Sequence, residues 1–527
     1  FHQPVMANFL RKGASLASRR ALPALAPHSA WPTLVPRVAS VPTCRLLSTA
    51  IAFDVDATWE EEFIKLTEHV SSNASHKESA ASMRALVRTG VLRHTDLRDN
   101  PDRFFKAHRL LARHAVEHGP GFWIRFTVHY NLCFGTVLAV GSEAQIQSLD
   151  AIQEAGDLGC FALTEKLAGV QSGLLVQTTA DFDASTGEFV LNTPSVGAQK
   201  NWISQGFTAD KAVVLAELTV DGERRGPHAF LMNLRESGEL VKGVSVGDMG
   251  VKTTGNDLDN AWISFDGVRV PRHALLNAHA NVSETGDYKV VTEGLAPFEM
   301  IGQRLFTGRV VVAQAALSYA KKLFEVTKEY TDAKPIWSPL AAADGTQPML
   351  SGIPQLCALF SEADTRIRTI EEFVEKCEAR LSPLLADRGV PSPELSNAIA
   401  VAKVKAVETA IDLCWRLKQE VGSYALMGSS GFVHLDFLNC CKFAEGDSRI
   451  LMQKMARDRF KRAVKERKAG IAPSPQQSEE AKLCMQLGTA LAAAKGDKRL
   501  EAAAWDEQWQ TVYALAEATM ERTLAEF

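Results

Sequence analysis

The stretch from Gly159 to about Asn277 constrains this chain more than any other, because its texture differs from everything on either side. Short β-branched and apolar runs recur there, at 187–191, 212–218, 228–232 and 261–265. Turn signals stand between them: Asp221-Gly222, Ser237-Gly238, Gly255-Asn256-Asp257 and Asp266-Gly267. Runs of that length at that spacing predict an antiparallel sheet domain. The flanks read in helical period instead. Upstream, 60–70, 80–87 and 103–118 read as helices, and Gly119-Pro120-Gly121 interrupts the pattern before the apolar stretch 122–140. Downstream, Val310, Ala313, Leu317, Ala320 and Phe324 form one stripe of a helix over 309–331. Further helices are predicted over 355–381, 393–417 and 448–468, then a linker at 470–477 and two helices within 479–526 joined near Gly496-Asp497. No internal repeat is visible. The expected fold class is therefore α+β and multidomain: an N-terminal helical domain over 54–158, a central antiparallel β domain over 159–280, a C-terminal helical bundle over 290–468 and a helical tail over 478–527.

Composition narrows the class of function. With 46% apolar and 23% charged residues over 527 positions the chain can bury a large core, and a net charge of -4 gives no basic surface for a nucleic acid. No run approaches the length of a membrane span. The nine cysteines form no Cys-x-x-Cys pair, so neither a metal site nor a disulfide framework is expected, and the adjacent Cys440 and Cys441 read as small buried apolar residues. Residues 1–53 contain no Asp or Glu but carry Arg11, Lys12, Arg19, Arg20, Arg37 and Arg45, the composition of an organelle presequence. That reading predicts the mitochondrial matrix, ahead of a plastid or a peroxisome, and the terminal Leu524-Ala-Glu-Phe527 is unlike a peroxisomal address.

The common short motifs are silent. No glycine-rich fingerprint links a strand to a helix, so NAD is not the expected cofactor, and neither His-Glu-x-x-His nor Gly-x-Ser-x-Gly occurs. Longer patterns are informative: Gly159-Cys-Phe-Ala-Leu-Thr-Glu165, Gly197-Ala-Gln-Lys-Asn-Trp-Ile-Ser204 and Asn260-Ala-Trp-Ile-Ser-Phe-Asp-Gly-Val-Arg-Val-Pro-Arg272. With Phe104-Phe-Lys-Ala-His-Arg109 and Asn131-Leu-Cys-Phe-Gly-Thr136, they resemble the acyl-CoA oxidases and acyl-CoA dehydrogenases, the last two pointing to the oxidase branch.

The resemblance implies FAD as cofactor and an acyl-CoA thioester as substrate. It places Thr164 at the flavin edge, and Trp202, Ile203, Ser204 and Gly206 along the ring. Lys334 and Trp337 stand where relatives carry an Arg and a Phe near the FAD phosphates, commonly across a subunit boundary, so a homodimer or tetramer is implied. Lysine keeps the charge but loses the two-pronged guanidinium contact. Gly428 falls in a glycine-rich turn in which Ser429 replaces one family glycine, and Asp447 falls on a position that touches FAD. Arg309 matches a helix arginine at the CoA end of the substrate. Glu445, in Phe443-Ala-Glu-Gly-Asp-Ser448, matches the catalytic base, with Ala444 in place of an aromatic residue. An α-proton beside a thioester is weakly acidic, so such a base must be desolvated to raise its proton affinity.

The implied reaction is α,β-desaturation of an acyl-CoA to the trans-2-enoyl-CoA, with O2 reoxidising the flavin. Two alternatives stay open. A mitochondrial dehydrogenase would pass the electrons to electron-transfer flavoprotein, as the presequence suggests. A catalytically silent assembly subunit would account for Lys334, Trp337 and Ser429.

Overall fold

The computed structural model describes residues 57–169, 176–292, 297–494 and 496–527; the expected presequence, 1–53, lies outside them. Seven α-helices lead: α1 (Ala57–Thr67), α2 (His76–Thr89), α3 (Asp96–Asp99), α4 (Pro101–His118), α5 (Gly121–Thr127), α6 (Gly135–Val140) and α7 (Glu143–Ala155). Their ends follow local chemistry. Ser75 and Glu78 form a reciprocal capping box on α2, Gly90 closes it in the left-handed conformation, and Pro101 opens α4 at its first turn. A π-helical turn, Val128–Phe134, joins α5 to α6, so the apolar stretch after Gly121 is one interrupted helix.

The sheet domain holds strands β1 (Gly159–Ala162), β2 (Thr179–Asp183), β3 (Glu188–Asn192), β4 (Lys200–Ser204), β5 (Lys211–Val220), β6 (Glu223–Asn233), β7 (Arg235–Glu236), β8 (Glu239–Leu240), β9 (Val244–Asp248), β10 (Asn260–Phe265), β11 (Val268–Pro271), β12 (Ala280–Val282) and β13 (Tyr288–Val290). The larger sheet runs β1-β5-β2-β3-β11 with β6 on the other edge of β5; a second runs β4-β10-β9. The antiparallel expectation holds wherever a local turn makes the pair, as at β5–β6 across Asp221-Gly222. It fails at β5's other edge, where β1 and β2 each run parallel to one half of that strand. Those partners meet only after a long excursion of chain, which turn signals cannot register.

The bundle is built on α8 (Pro297–Ala333), α9 (Pro354–Ala386) and α10 (Pro393–Glu420), then α11 (Asp436–Phe443) and α12 (Ser448–Lys468). The expected stripe of α8, Val310 to Phe324, is buried in full. A single hydrophobic core runs through both helical regions, with Phe104, Phe105 and Phe126 in it beside Val310, Leu413 and Phe437. The sheets have a core of their own. The tail contains three helices where the sequence suggested two: α13 (Ser478–Ala492), α14 (Lys498–Glu507) and α15 (Trp509–Glu526). The break at Gln508 has no glycine or proline to announce it; it lets Trp505 bury in a small cluster with Leu487 and Val512. Among the described residues no helix is long and apolar enough to cross a membrane.

Candidate active site

Glu445 sits in the short connection between α11 and α12. Its backbone is left-handed, with φ 57°, and Gly446 follows at φ 92°. Among the described residues only six non-glycine residues have positive φ, and Trp202, Gln205 and Glu445 are three of them. Strain of that kind persists only where the surroundings over-determine it. Two consecutive left-handed residues turn the Glu445 side chain inward although its backbone is partly exposed. The carboxyl then lies against Gly308 of α8, where an added Cβ would overlap it. Its Oε2 is buried without a hydrogen-bond partner. Burial drives the carboxyl's pKa up to about 8, against smaller opposing effects from Arg309 and Lys403.

Arg309 and Lys403 hold the connection in place. Arg309 Nε donates to the Glu445 carbonyl at 3.1 Å, and its guanidinium lies 5.2 Å from the Phe306 ring centre. That places Arg309 beside the Glu445 backbone, whereas the sequence expectation put it at the CoA end of a substrate. Lys403, on α10, is fully buried. Its Nζ donates to Lys442 O at 2.6 Å, Gly446 O at 3.0 Å and Ser448 Oγ at 3.0 Å. Sequence reasoning missed it. The sequence offered only a partial signal: Lys403 and Lys405 both stand in the apolar run 399–407, and nothing local says which of them is buried. Asp447 caps α12, accepting from Arg449 N at 2.7 Å.

A second group forms on the sheet domain. Asn201 N donates to Thr164 O at 2.9 Å, which sets exposed Thr164 beside Trp202. Trp202 is 57% exposed, and its backbone N–H donates to Met249 Sδ at 3.2 Å. Ser204 Oγ accepts from Asn260 at 3.1 Å. Ile203 and Gly206 differ from the expectation of ring contacts. The Ile203 side chain points into the sheet core, and Gly206 is small because a Cβ there would press on Ala261 at 3.0 Å. The segment after Met249 bridges the two groups: Thr254 hydrogen-bonds His434 at 3.3 Å, just ahead of α11.

Three expected residues lie apart. Lys334 and Trp337 follow the C-terminal end of α8, and at 1.5 Å per residue Lys334 is roughly 39 Å from Gly308 along the helix. Trp337 is 82% exposed. Neither can share a ligand with Glu445 of the same chain. Gly428 is exposed, with open space around a notional Cβ; the glycine that geometry demands is Gly431, at φ 81° against Val116. Met427-to-Gly431 therefore turns where the sequence expected it, on a different residue.

An exposed indole on a strained backbone beside Thr164 and Ser204 offers a flat wall with polar edge groups, which fits an isoalloxazine ring. Gln205 Nε2 is used up on the Gly159 carbonyl, so that strand's rigidity is internal.

Comparison with known proteins agrees with this geometry. Residues 160–268 match the family model of the acyl-CoA dehydrogenase middle domain. Acyl-coenzyme A oxidase 2 of Yarrowia lipolytica is 30% identical over 377 residues, 66% of this chain and 52% of that protein. Human peroxisomal acyl-coenzyme A oxidase 3 is 29% identical over 347 residues, 62% of this chain and 48% of that protein. The chain thus spans about half the length of the curated relatives it matches. The fold is that of Caenorhabditis elegans acyl-CoA oxidase-2, solved with FAD, ascaroside-CoA and ATP, at a TM-score of 0.72 and 18% identity over 89% of this chain and 75% of that one. The expectation of a mitochondrial compartment is overturned, since the relative named with a location is peroxisomal. Residues 160–268 thus match the acyl-CoA dehydrogenase middle domain, and the described architecture shares the fold of the acyl-CoA oxidases.

Proposed function

We propose that this protein is a peroxisomal, FAD-dependent acyl-CoA oxidase in which Glu445 removes the α-proton of an acyl-CoA thioester. The observation that carries the reading is the Glu445 carboxyl, desolvated against Gly308 and left with an unpartnered oxygen. Asp257 and Glu378 also leave one buried oxygen unpartnered, but each accepts a hydrogen bond through its other oxygen, from Ser79 and Arg109. Its raised proton affinity suits it to a weakly acidic C–H.

Thr164 and Ser204 would meet the flavin edge, and the Trp202 indole would cover part of a face. Asp447, as the cap of α12, would lie near the same cofactor. FAD bound there supplies the hydride acceptor for the β-carbon and, through its reoxidation by O2, yields hydrogen peroxide. Glu445 would take the proton, and its own backbone N–H would donate to the thioester oxygen. Burial keeps water from competing for the developing charge. Lys334 and Trp337, too far along α8 to serve Glu445 of the same chain, would serve the site of a second copy, so the active form would be a homo-oligomer.

The test is a visible spectrum of the purified protein. A yellow protein that bleaches anaerobically on adding an acyl-CoA, then recovers its colour and forms peroxide on admitting air, bears the reading out. A colourless protein, or one whose flavin ignores acyl-CoAs of every chain length, defeats it. Bleaching without recovery in air would leave the desaturation and replace O2 with another acceptor.

A further inference from the structure

Lys403 is a buried lysine among apolar neighbours, with Val401, Ala402, Val404 and Ala406 all inaccessible beside it, and burial lowers its pKa to about 7. Among the described residues no carboxylate oxygen lies within ion-pair distance of its Nζ, and Glu408, one turn further along α10, is instead engaged by Lys442 at 2.6 Å. The three ammonium protons meet three oxygens and none is left over. Those oxygens bracket Glu445: one closes α11, one is on the next residue, and one opens α12. An ammonium is strongly disfavoured in an apolar interior without a counter-ion, so a lysine kept there calls for a reason beyond packing.

We propose that Lys403 is the positioning residue of the catalytic carboxylate, its three hydrogen bonds clamping 442–448 so that Glu445 stays in its left-handed turn against Gly308. The inference rests on the function proposed above. Replacing Lys403 with methionine removes all three bonds at similar side-chain length. Replacing it with arginine puts a planar fork where three acceptors surround a point.

The experiment uses the full chain as K403M and K403R, with the unaltered chain as reference. Amide hydrogen exchange across 442–448 is measured, and flavin reduction by an acyl-CoA is followed anaerobically. For K403M the exchange across 442–448 should quicken about 10-fold or more. Its maximal rate of flavin reduction should fall about 100-fold, with the half-saturating acyl-CoA concentration little changed. K403R should restore only part of the rate. Unchanged exchange in K403M, or an unaltered rate in either variant, overturns the clamp. Should K403M fail to accumulate folded protein, the K403R rate decides. Quickened exchange in a protein that no acyl-CoA reduces would leave the role of Lys403 standing and defeat the oxidase reading instead.

Discussion

Two carboxylates, each with a buried lysine close by, are held in opposite ways in this molecule: Glu165 in the sheet domain and Glu445 ahead of α12. Glu165 and Lys200, in the sheet domain, are both fully buried and pair at 2.9 Å. Glu165 also accepts from Gln177 N, Thr178 N and Thr178 Oγ1, while Lys200 also donates to the Leu163 and Leu215 carbonyls. Every strong valence is spent, and the pair joins the end of β1 to β4 and β5. Glu445 and Lys403 do not pair. The lysine spends its protons on the backbone that carries the glutamate, and the carboxylate is left with an idle oxygen. A closed pair fixes geometry; an open one keeps a proton acceptor ready. The same two residue types serve opposite ends because of where their hydrogen bonds go.

That contrast can be broken in order of expected effect. Glu445→Gln should cost flavin reduction about 10³-fold or more, the loss of a positioned base, while a bound flavin keeps its spectrum. Rapid-mixing absorbance measures it, and a retained rate would remove Glu445 from the mechanism. Lys200→Met should do the reverse. Breaking one partner of a closed buried pair should destabilise the fold by about 3–5 kcal/mol, seen as a lowered thermal midpoint, without moving the pH profile of the folded fraction. Gly308→Ala pushes a methyl group onto the carboxyl and should slow flavin reduction about 100-fold at near-native stability.

The pH dependence sharpens the comparison further. Glu445 acts as a base only when ionised, so flavin reduction should rise with pH through about 8 and level off above it. Stability runs the other way. An unfolded glutamate ionises near ~4.3, so between that pH and about 8 the unfolded chain holds fewer protons than the folded one, and stability falls as pH rises. Glu445→Gln should therefore raise the melting temperature at pH 8 and leave it almost unchanged at pH 4. The smallest effect is expected at Trp337→Ala: a residue 82% exposed should change monomer stability by less than about 0.5 kcal/mol, with any loss appearing only in an assembled oligomer.

Periodicity and turn chemistry made much of the architecture legible in the sequence. The stripe from Val310 to Phe324, the hairpin at Asp221-Gly222 and the helix starting at Ser448 are local properties, decided within a few residues by side-chain spacing and backbone preference. The turn that carries Glu445 was legible too, because Glu-Gly ahead of a helix is a local signature. The parallel edge of β5, the helix break at Gln508 and the merging of two helical regions into one core were not, since each depends on partners distant in sequence. Nor could the chain order alone tell Lys403 from Lys405, two positions on: one is buried beneath the Glu445 turn, the other reaches Glu517 and Glu521 at the surface. Sequence set which residues were available for a base, a clamp and a flat aromatic wall. Tertiary packing alone decided which carboxylate was stripped of water, because desolvation is a property of everything that surrounds a group and not of its neighbours along the chain.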